Sequence, residues 1–299
     1  MRRLILVALL GSLAQLVDGT LGMAYGVTAT TALLLTGITP AVASASVHLS
    51  EVGTTLASGL SHWRFGNVDW RVVALIGIPG GVGAFAGATF LSSLTTESAS
   101  LWIAALLLML GVYVVARFAF GKVRAVVEGK VGGRFLGPLG LVAGFIDATG
   151  GGGWGPVATS SLLSSGKLAP RRTVGSVSAA EFIVSVAASI GFLFGLGRSN
   201  IPVGLVAALL IGGVLVAPLA AWLVSRLPTR WLGVGVGLVL ILTNARTLLN
   251  GIGFGGGWRY LVYGVLVVLW AGLVAFGLRG AAPRPVVEAE KELETAGRI

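Results

Sequence analysis

The sequence contains no cysteine and only two histidines, His48 and His62. The absence of cysteine excludes disulfide bonds and thiolate metal or redox sites. Two histidines are too few for a typical zinc or haem enzyme. We therefore expect no metal, no cofactor and no enzymatic activity.

Charged residues are also scarce in this chain. They make up 11% of it, whereas soluble domains have about 25%, and so few charges cannot cover a surface that faces water. Uncharged apolar runs fill residues 102–116, 201–225 and 260–278 instead. Runs of about 20 apolar residues match the hydrocarbon thickness of a bilayer. The sequence therefore predicts an all-α polytopic membrane protein surrounded by lipid.

The net charge of +10 does not indicate a nucleic-acid-binding protein. The basic residues form short clusters at the ends of apolar runs, such as Arg2 with Arg3 and Lys130 with Arg134. Membrane proteins place lysine and arginine at span ends in this way, mostly on the cytoplasmic side. A nucleic-acid-binding surface would need a continuous basic stripe. We expect no nucleic-acid partner.

The chain contains an internal similarity. A shift of 129 residues aligns 11–34 with 140–163, and ten of the 24 positions are identical. The matches in this and the following stretch include, in order, Asp18 with Asp147, Thr20 with Thr149, Pro40 with Pro170 and Glu51 with Glu181. Apolar composition alone rarely produces aspartate, proline and glutamate matches in the same order, so the sequence predicts two homologous repeats.

The duplication predicts five parts. They are a first membrane repeat (1–125), a basic inter-repeat loop (126–134), a second membrane repeat (135–255), an extra C-terminal transmembrane helix (256–278) and a solvated tail (279–299). Each repeat has about four helical segments, and the first of them is interrupted. Hydropathy does not decide whether the interrupted segment crosses the bilayer once, crosses it twice or re-enters, so parallel and inverted repeats both stay open.

The two interruptions are the strings DGTLGMAYG (18–26) and DATGGGGWG (147–155). They are too rich in glycine for a regular helix, and irregular backbone at membrane depth is tolerated where it lines a cavity. Transporters aim free N–H groups at such breaks towards anionic substrates. The candidate substrate-binding residues are Asp18, Gly19, Thr20, Gly22, Tyr25, Thr30, Asp147, Thr149, Gly150, Gly151, Gly152, Trp154 and Thr159.

Two alternatives concern these same strings. The glycines could serve close helix packing, as small residues do in membranes. Asp18 and Asp147 could act as caps for the broken helices and not as substrate ligands, because aspartate is a favoured capping residue.

A second signal is a pair of acids within apolar spans, Glu51 and Glu181. Each shares a helix face with serine or threonine, which predicts that the face points into a bundle or cavity. His48 lies one turn before Glu51 and has Ser178 as its counterpart in the second repeat. The predicted proton-coupling residues are Glu51, Glu181 and His48, with a structural role as the alternative for each.

The duplicated aspartate- and glycine-rich break, the prolines that open the next span and the two glutamates resemble the sulfite exporter TauE/SafE family, also called the 4-toluene sulfonate uptake permease family. The resemblance covers about residues 4–250. It implies a transporter of sulfite or organosulfonates in the prokaryotic plasma membrane, built from two four-span units. The extra span at 260–278 departs from that pattern.

The sequence therefore predicts a secondary transporter of a small sulfur-containing anion, sulfite or an organosulfonate, held at the two breaks. Proton coupling would relieve the repulsion between the anion and the buried acids. One alternative is a cation transporter or channel that uses the four intramembrane carboxylates. Another is a membrane assembly factor without transport activity. Assembly into a homo-oligomer stays open.

Overall fold

The computed structural model describes residues 2–21, 23–120, 129–197, 200–224, 229–254 and 257–279. Within these ranges the regular elements are α-helices and one π-helical turn. They are α1 (Arg2–Leu21), α2 (Tyr25–Leu35), α3 (Pro40–Arg64), α4 (Trp70–Ser93), α5 (Thr96–Phe120), α6 (Gly133–Gly150), a π-helical turn (Gly155–Thr159) continued by α7 (Ser160–Ser165), α8 (Pro170–Leu196), α9 (Val203–Val224), α10 (Thr229–Gly251) and α11 (Trp258–Arg279).

Among the residues that the structure describes, four helices are long and apolar enough to cross a bilayer by length and composition. They are Trp70–Ser93, Thr96–Phe120, Pro170–Leu196 and the part Gly233–Gly251 of α10. Large apolar side chains stand on the outside of the bundle, including Phe194 at 77% exposure and Leu215 at 73%. A soluble protein rarely exposes such side chains as one contiguous apolar surface. The prediction of an all-helical membrane protein is confirmed.

Some predicted segments fall partly outside the described ranges. The inter-repeat loop predicted at 126–134 is described only from residue 129 onwards. The tail predicted at 279–299 is described only at its first residue. Helix α11 lies at the position predicted for the extra C-terminal span and packs against α5 and α10.

The segment made of α6, the π-helical turn and α7 is a re-entrant hairpin. The backbone N–H of Gly129, just before α6, donates to the carbonyl oxygen of Lys167, just after α7, over 3.1 Å. The start of α6 and the end of α7 therefore lie at the same end of the bundle. The chain enters the bundle, turns at residues 151–153 and leaves where it came in, which answers the question that hydropathy left open.

The pair of α1 and α2 forms a second hairpin that opens at the other end of the bundle. Val7 in α1 and Leu33 in α2 belong to one buried cluster with Leu205 at the start of α9. The start of α9 is one full length of α8 away from Lys167, since the 27 residues of α8 span roughly 40 Å. The two hairpins thus enter the bundle from opposite ends.

Close backbone contacts hold the helices around these hairpins. A Cβ placed on Gly140 in α6 would lie 2.1 Å from the carbonyl oxygen of Ile76 in α4. One placed on Gly212 in α9 would lie 2.0 Å from the carbonyl oxygen of Ala8 in α1. Small residues permit this approach, which is how helices associate in lipid. Each hairpin is therefore fixed by its long first helix, α6 against α4 and α1 against α9.

Candidate functional site

Each helix interruption is shorter than the glycine-rich strings predict. Helix α1 continues to Leu21 and α6 continues to Gly150, so Asp18 and Asp147 lie in the last turn of a helix. The prediction that regular helix ends at the two aspartates is wrong. The reason is that a carboxylate in the last turn reaches forward across the break and binds the next helix, so its own turn stays helical.

Both aspartates cap the helix that follows them. One oxygen of Asp18, Oδ1, accepts from the backbone N–H of Ala24 over 2.8 Å and from that of Tyr25 over 3.1 Å. Oδ1 of Asp147 accepts from the backbone N–H of Trp154 over 2.9 Å. These N–H groups belong to the start of a half-helix, where the helix dipole favours a negative charge. The carboxylates thus occupy part of the amide surface that the sequence suggests for a substrate.

The two breaks cross each other at the centre of the bundle. A Cβ placed on Gly26 would lie 2.6 Å from the Cα of Gly152, and one placed on Gly155 would lie 2.9 Å from the Cα of Met23. Gly26 and Gly155 occupy equivalent positions in the aligned segments, as do Met23 and Gly152. The hydroxyl of Thr30 donates to the carbonyl oxygen of Gly151. The break of each hairpin therefore rests on the first turn of the other.

The backbone at this crossing requires glycine. Gly151 has φ +68° and Gly152 has φ +144°, values that residues other than glycine rarely adopt. A Cβ on Gly152 would also lie 2.2 Å from the backbone nitrogen of Val27. Conformation and close approach together therefore explain Gly151 and Gly152.

A cavity lies beside the crossing. The centres of water-sized molecules can occupy about 50 Å³ of it, and holding one water needs about 10–15 Å³ on the same measure. Its walls include eight of the predicted site residues, namely Asp18, Tyr25, Glu51, Asp147, Gly152, Trp154, Thr159 and Glu181. The two hairpins, α3 and α8 therefore meet around a small polar space.

Other predicted residues are not part of the cavity wall. The hydroxyl of Thr149 donates to the carbonyl oxygen of Phe145 over 2.7 Å, and that of Thr30 is used at the crossing. Gly150 packs near Leu106. The remaining ones outside the wall are Gly151, at the crossing itself, and His48, behind Asp147. Gly22 lies outside the described residues, and Gly19 and Thr20 are described only as part of the backbone of α1.

The cavity wall also contains residues that the sequence did not single out as ligands. They include Gly26, Gly155, Val177 and Ser178. The identity of Gly26 and Gly155 in the aligned segments was a usable signal, because both allow the opposite backbone to approach. Val177 is also identical to its counterpart Val47, but an apolar match within an apolar span carries little information.

Glu51 faces the cavity from α3 and is 4% exposed. Its Oε2 has no hydrogen-bond partner among the described residues. Glu181 faces the same cavity from α8, and α3 packs along α8. A buried carboxylate oxygen without a partner is costly when it is charged, so the two glutamates are the acids that gain most from a proton or a bound ion.

His48 joins α3 to the second break. Its Nε2 lies 3.1 Å from Oδ2 of Asp147, and its Nδ1 lies 2.9 Å from the carbonyl oxygen of Ser44. A carbonyl oxygen only accepts, so Nδ1 is the donor in that contact. The contact with Asp147 then contains one proton, either on Nε2 or on the carboxyl group. In both cases the pair has no net charge.

The described residues that line the cavity include four carboxylic acids and no lysine or arginine. Asp18 is bound by two amides, and Asp147 by one amide and His48. Glu51 and Glu181 are therefore the acids whose charge is least compensated by protein groups. A negatively charged solute would be repelled unless these carboxyl groups were protonated.

Two crossed re-entrant hairpins around a buried polar cavity define a polytopic membrane protein of the transporter class, since broken helices at membrane depth line solute-binding sites. The family described as sulfite exporter TauE/SafE matches this sequence over residues 7–247. The probable membrane transporter protein YtnM of Bacillus subtilis (strain 168) is 48% identical over 291 residues, which cover 96% of this chain and 97% of that protein. No solved structure matches the chain.

The chain belongs to the TauE/SafE sulfite exporter family. It is a multi-pass protein of the cell membrane and a transporter, not an enzyme. These conclusions agree with the resemblance seen in the sequence.

Proposed function

We propose that this protein is a secondary transporter that moves a small sulfur oxyanion such as sulfite together with protons. The observation that carries the proposal is the polar cavity beside the crossing of the two breaks, where the first turn of α2 and the turn at 155–159 converge with Glu51 and Glu181. The first turn of a helix has N–H groups without intrahelical partners. Such groups, with the helix dipole, favour a bound anion.

Internal duplication supports alternating access to this cavity. The aligned strings at 11–34 and 140–163 form hairpins that open at opposite ends of the bundle. We infer that the two repeats are inverted, because three long helices follow each hairpin, α3 to α5 and α8 to α10, and an odd number of crossings would invert the second repeat. Inverted repeats commonly carry a solute site at their interface, and rocking of one repeat against the other exposes it to either side.

Protonation of the acids in the cavity wall would allow an anion to bind beside them. Glu51 and Glu181 have the least compensated charges, and at low dielectric each would repel an anion by several kcal/mol. Protonation removes this repulsion and supplies an O–H donor. The anion and the protons would therefore bind and leave together, so that transport of the anion is coupled to transport of protons.

The pair of His48 and Asp147 is the second place for a proton on this route. It holds one proton at zero net charge, and Asp147 lines the cavity whereas His48 lies behind it. Transfer of that proton between the two groups moves positive charge towards or away from the cavity without changing the proton count. We propose that this pair helps to pass protons to and from Glu51, one helical turn along α3.

The size of the cavity favours the smallest members of the substrate class. The space for the centres of water-sized molecules, about 50 Å³, is several times what one water needs, and it suits a small inorganic oxyanion. An aromatic sulfonate would need the cavity to open further. The size of the cavity therefore supports sulfite over an aromatic sulfonate as the substrate.

A cation transporter is the second candidate, and one specific observation favours it. Four carboxylates and no basic side chain stand among the described residues of the wall. Flux across the membrane of proteoliposomes separates the two functions. With sulfite inside, the proposed function predicts sulfite efflux that a proton gradient accelerates. Flux of Na⁺ or a divalent cation without any sulfite flux would overturn it in favour of the second candidate.

A further inference from the structure

A second concave site lies at the end of the bundle where α6 begins. It has a volume of about 260 Å³, and four basic side chains line it: Arg71, Lys130, Lys167 and Arg172. They come from three separate segments, the start of α4, the segment before α6 and the stretch from α7 into α8. We call this cavity the basic pocket.

Hydrogen bonds between these segments build the basic pocket. Nη1 of Arg71 donates to the carbonyl oxygen of Val131 over 3.0 Å. The backbone N–H of Gly129 donates to the carbonyl oxygen of Lys167 over 3.1 Å. Val131 is 2% exposed, so the bond from Arg71 reaches into the packed protein. These hydrogen bonds fix the positions of the segments that line the pocket relative to one another.

Within the described ranges, carboxylates compensate little of the charge of the basic pocket. Its lining contains one carboxylate, Asp69, which caps α4 by accepting from the backbone N–H of Arg71 and of Val72. In the part of the chain that the structure describes, none of the four basic side chains forms an ion pair with a carboxylate. A basic end is expected from membrane orientation alone, but that does not account for four cations converging on one cavity.

Helix α8 connects the basic pocket to the polar cavity beside the crossing of the two breaks, which we call the central cavity. The backbone N–H of Asp69 donates to the hydroxyl of Ser176 over 2.8 Å, and Val177 and Ser178 line the central cavity. Arg172 at the basic pocket precedes Ser178 by six residues, a rise of roughly 9 Å along the helix. One helix thus carries the wall of both sites.

We propose that the basic pocket binds an oxyanion group and serves as a vestibule to the central cavity. Arginine and lysine side chains are the donors that sulfate-like and phosphate-like groups prefer. Two sources offer this chemistry, a free oxyanion and the phosphate of a lipid headgroup. The role as a vestibule rests on the proposed function, whereas anion binding by the pocket does not.

The test compares two double variants of the full-length purified protein. Lys167→Gln with Arg172→Gln removes two charges from the pocket and leaves Arg71 in place. The matched control, Arg64→Gln with Arg134→Gln, removes two exposed charges from the same end of the bundle, outside the pocket lining. Sulfate affinity is measured by titration calorimetry at constant ionic strength, and retention of phosphatidylglycerol over phosphatidylcholine by native mass spectrometry.

We expect the pocket variant to bind sulfate about tenfold or more weakly than the control, or to retain phosphatidylglycerol less. Loss of sulfate binding alone assigns the site to the free anion, and loss of lipid retention alone assigns it to the headgroup. Equal behaviour of both variants and the unaltered protein in both measurements would overturn the proposal. Neither readout needs transport, so an absence of sulfite flux would count against the proposed function only.

Discussion

Gly152 in the second break lies directly against Gly26 in the first turn of α2. A Cβ on Gly152 would come within 2.3 Å of the carbonyl carbon of Gly26 and 2.2 Å of the nitrogen of Val27. The two hairpins therefore meet backbone to backbone, and the shape of the central cavity depends on this contact.

The variant Gly152→Ala tests this contact. The added methyl group meets backbone atoms on the opposite hairpin, and φ +144° is strained for alanine. We expect a loss of more than about 2 kcal/mol in the free energy of unfolding, measured as a lower melting temperature in detergent. Gly137→Ala is the control, because its Cβ would point into open space within α6. Equal melting temperatures for the two variants would contradict the crossing.

Two substitutions of Asp147 distinguish its role as a helix cap from its role in carrying a proton. In Asp147→Asn the amide oxygen can still accept from the backbone N–H of Trp154, and the amide N–H can donate to Nε2 of His48. We expect this variant to fold but to transport with an altered dependence on the proton gradient. In Asp147→Ala both groups lose their partner, which costs about 1–3 kcal/mol for each buried polar group. Thermal melting ranks the two variants, and an asparagine variant as unstable as the alanine variant would refute this account.

Glu51→Gln tests the coupling to protons. In the unaltered protein, raising the pH deprotonates Glu51 and Glu181, so repulsion grows and sulfite binding weakens. Glutamine is permanently neutral, so we expect sulfite binding by the variant to fall less steeply with pH and proton-driven flux to decrease. Glu97→Gln, an exposed residue at the start of α5, is the control. An unchanged pH profile and rate in Glu51→Gln would end the proton-coupling proposal.

The absence of cysteine makes the hairpin topology directly testable. Single cysteines introduced at Gly132 and Lys167 flank the second hairpin, and one at Thr39 follows the first. A membrane-impermeant maleimide added to one side of sealed vesicles should label the first two together. It should label the third only from the opposite side. Labelling of all three from one side would show that the hairpins open at the same end.

Part of the site was readable from the sequence because it depends on local chemistry. Aspartate before a glycine-rich stretch, and glutamate on a polar helix face, indicated Asp18, Asp147, Glu51 and Glu181, and all four line the central cavity. The breaks are shorter than their glycine content predicts. Glycine lowers helix propensity, but a glycine count does not show that a carboxylate caps the following helix.

The sequence by itself determined that this chain is a multi-span helical membrane protein of the TauE/SafE family, because the thickness of lipid dictates long uncharged runs and the duplicated motif is specific. Only the tertiary structure decided that the interrupted segments re-enter from opposite ends, that Gly26 meets Gly152, and that His48 shares a proton with Asp147. Gly26 and Gly152 are 126 positions apart in the chain, and His48 and Asp147 are 99 apart. No local pattern encodes such contacts, because they arise from the packing of whole helices.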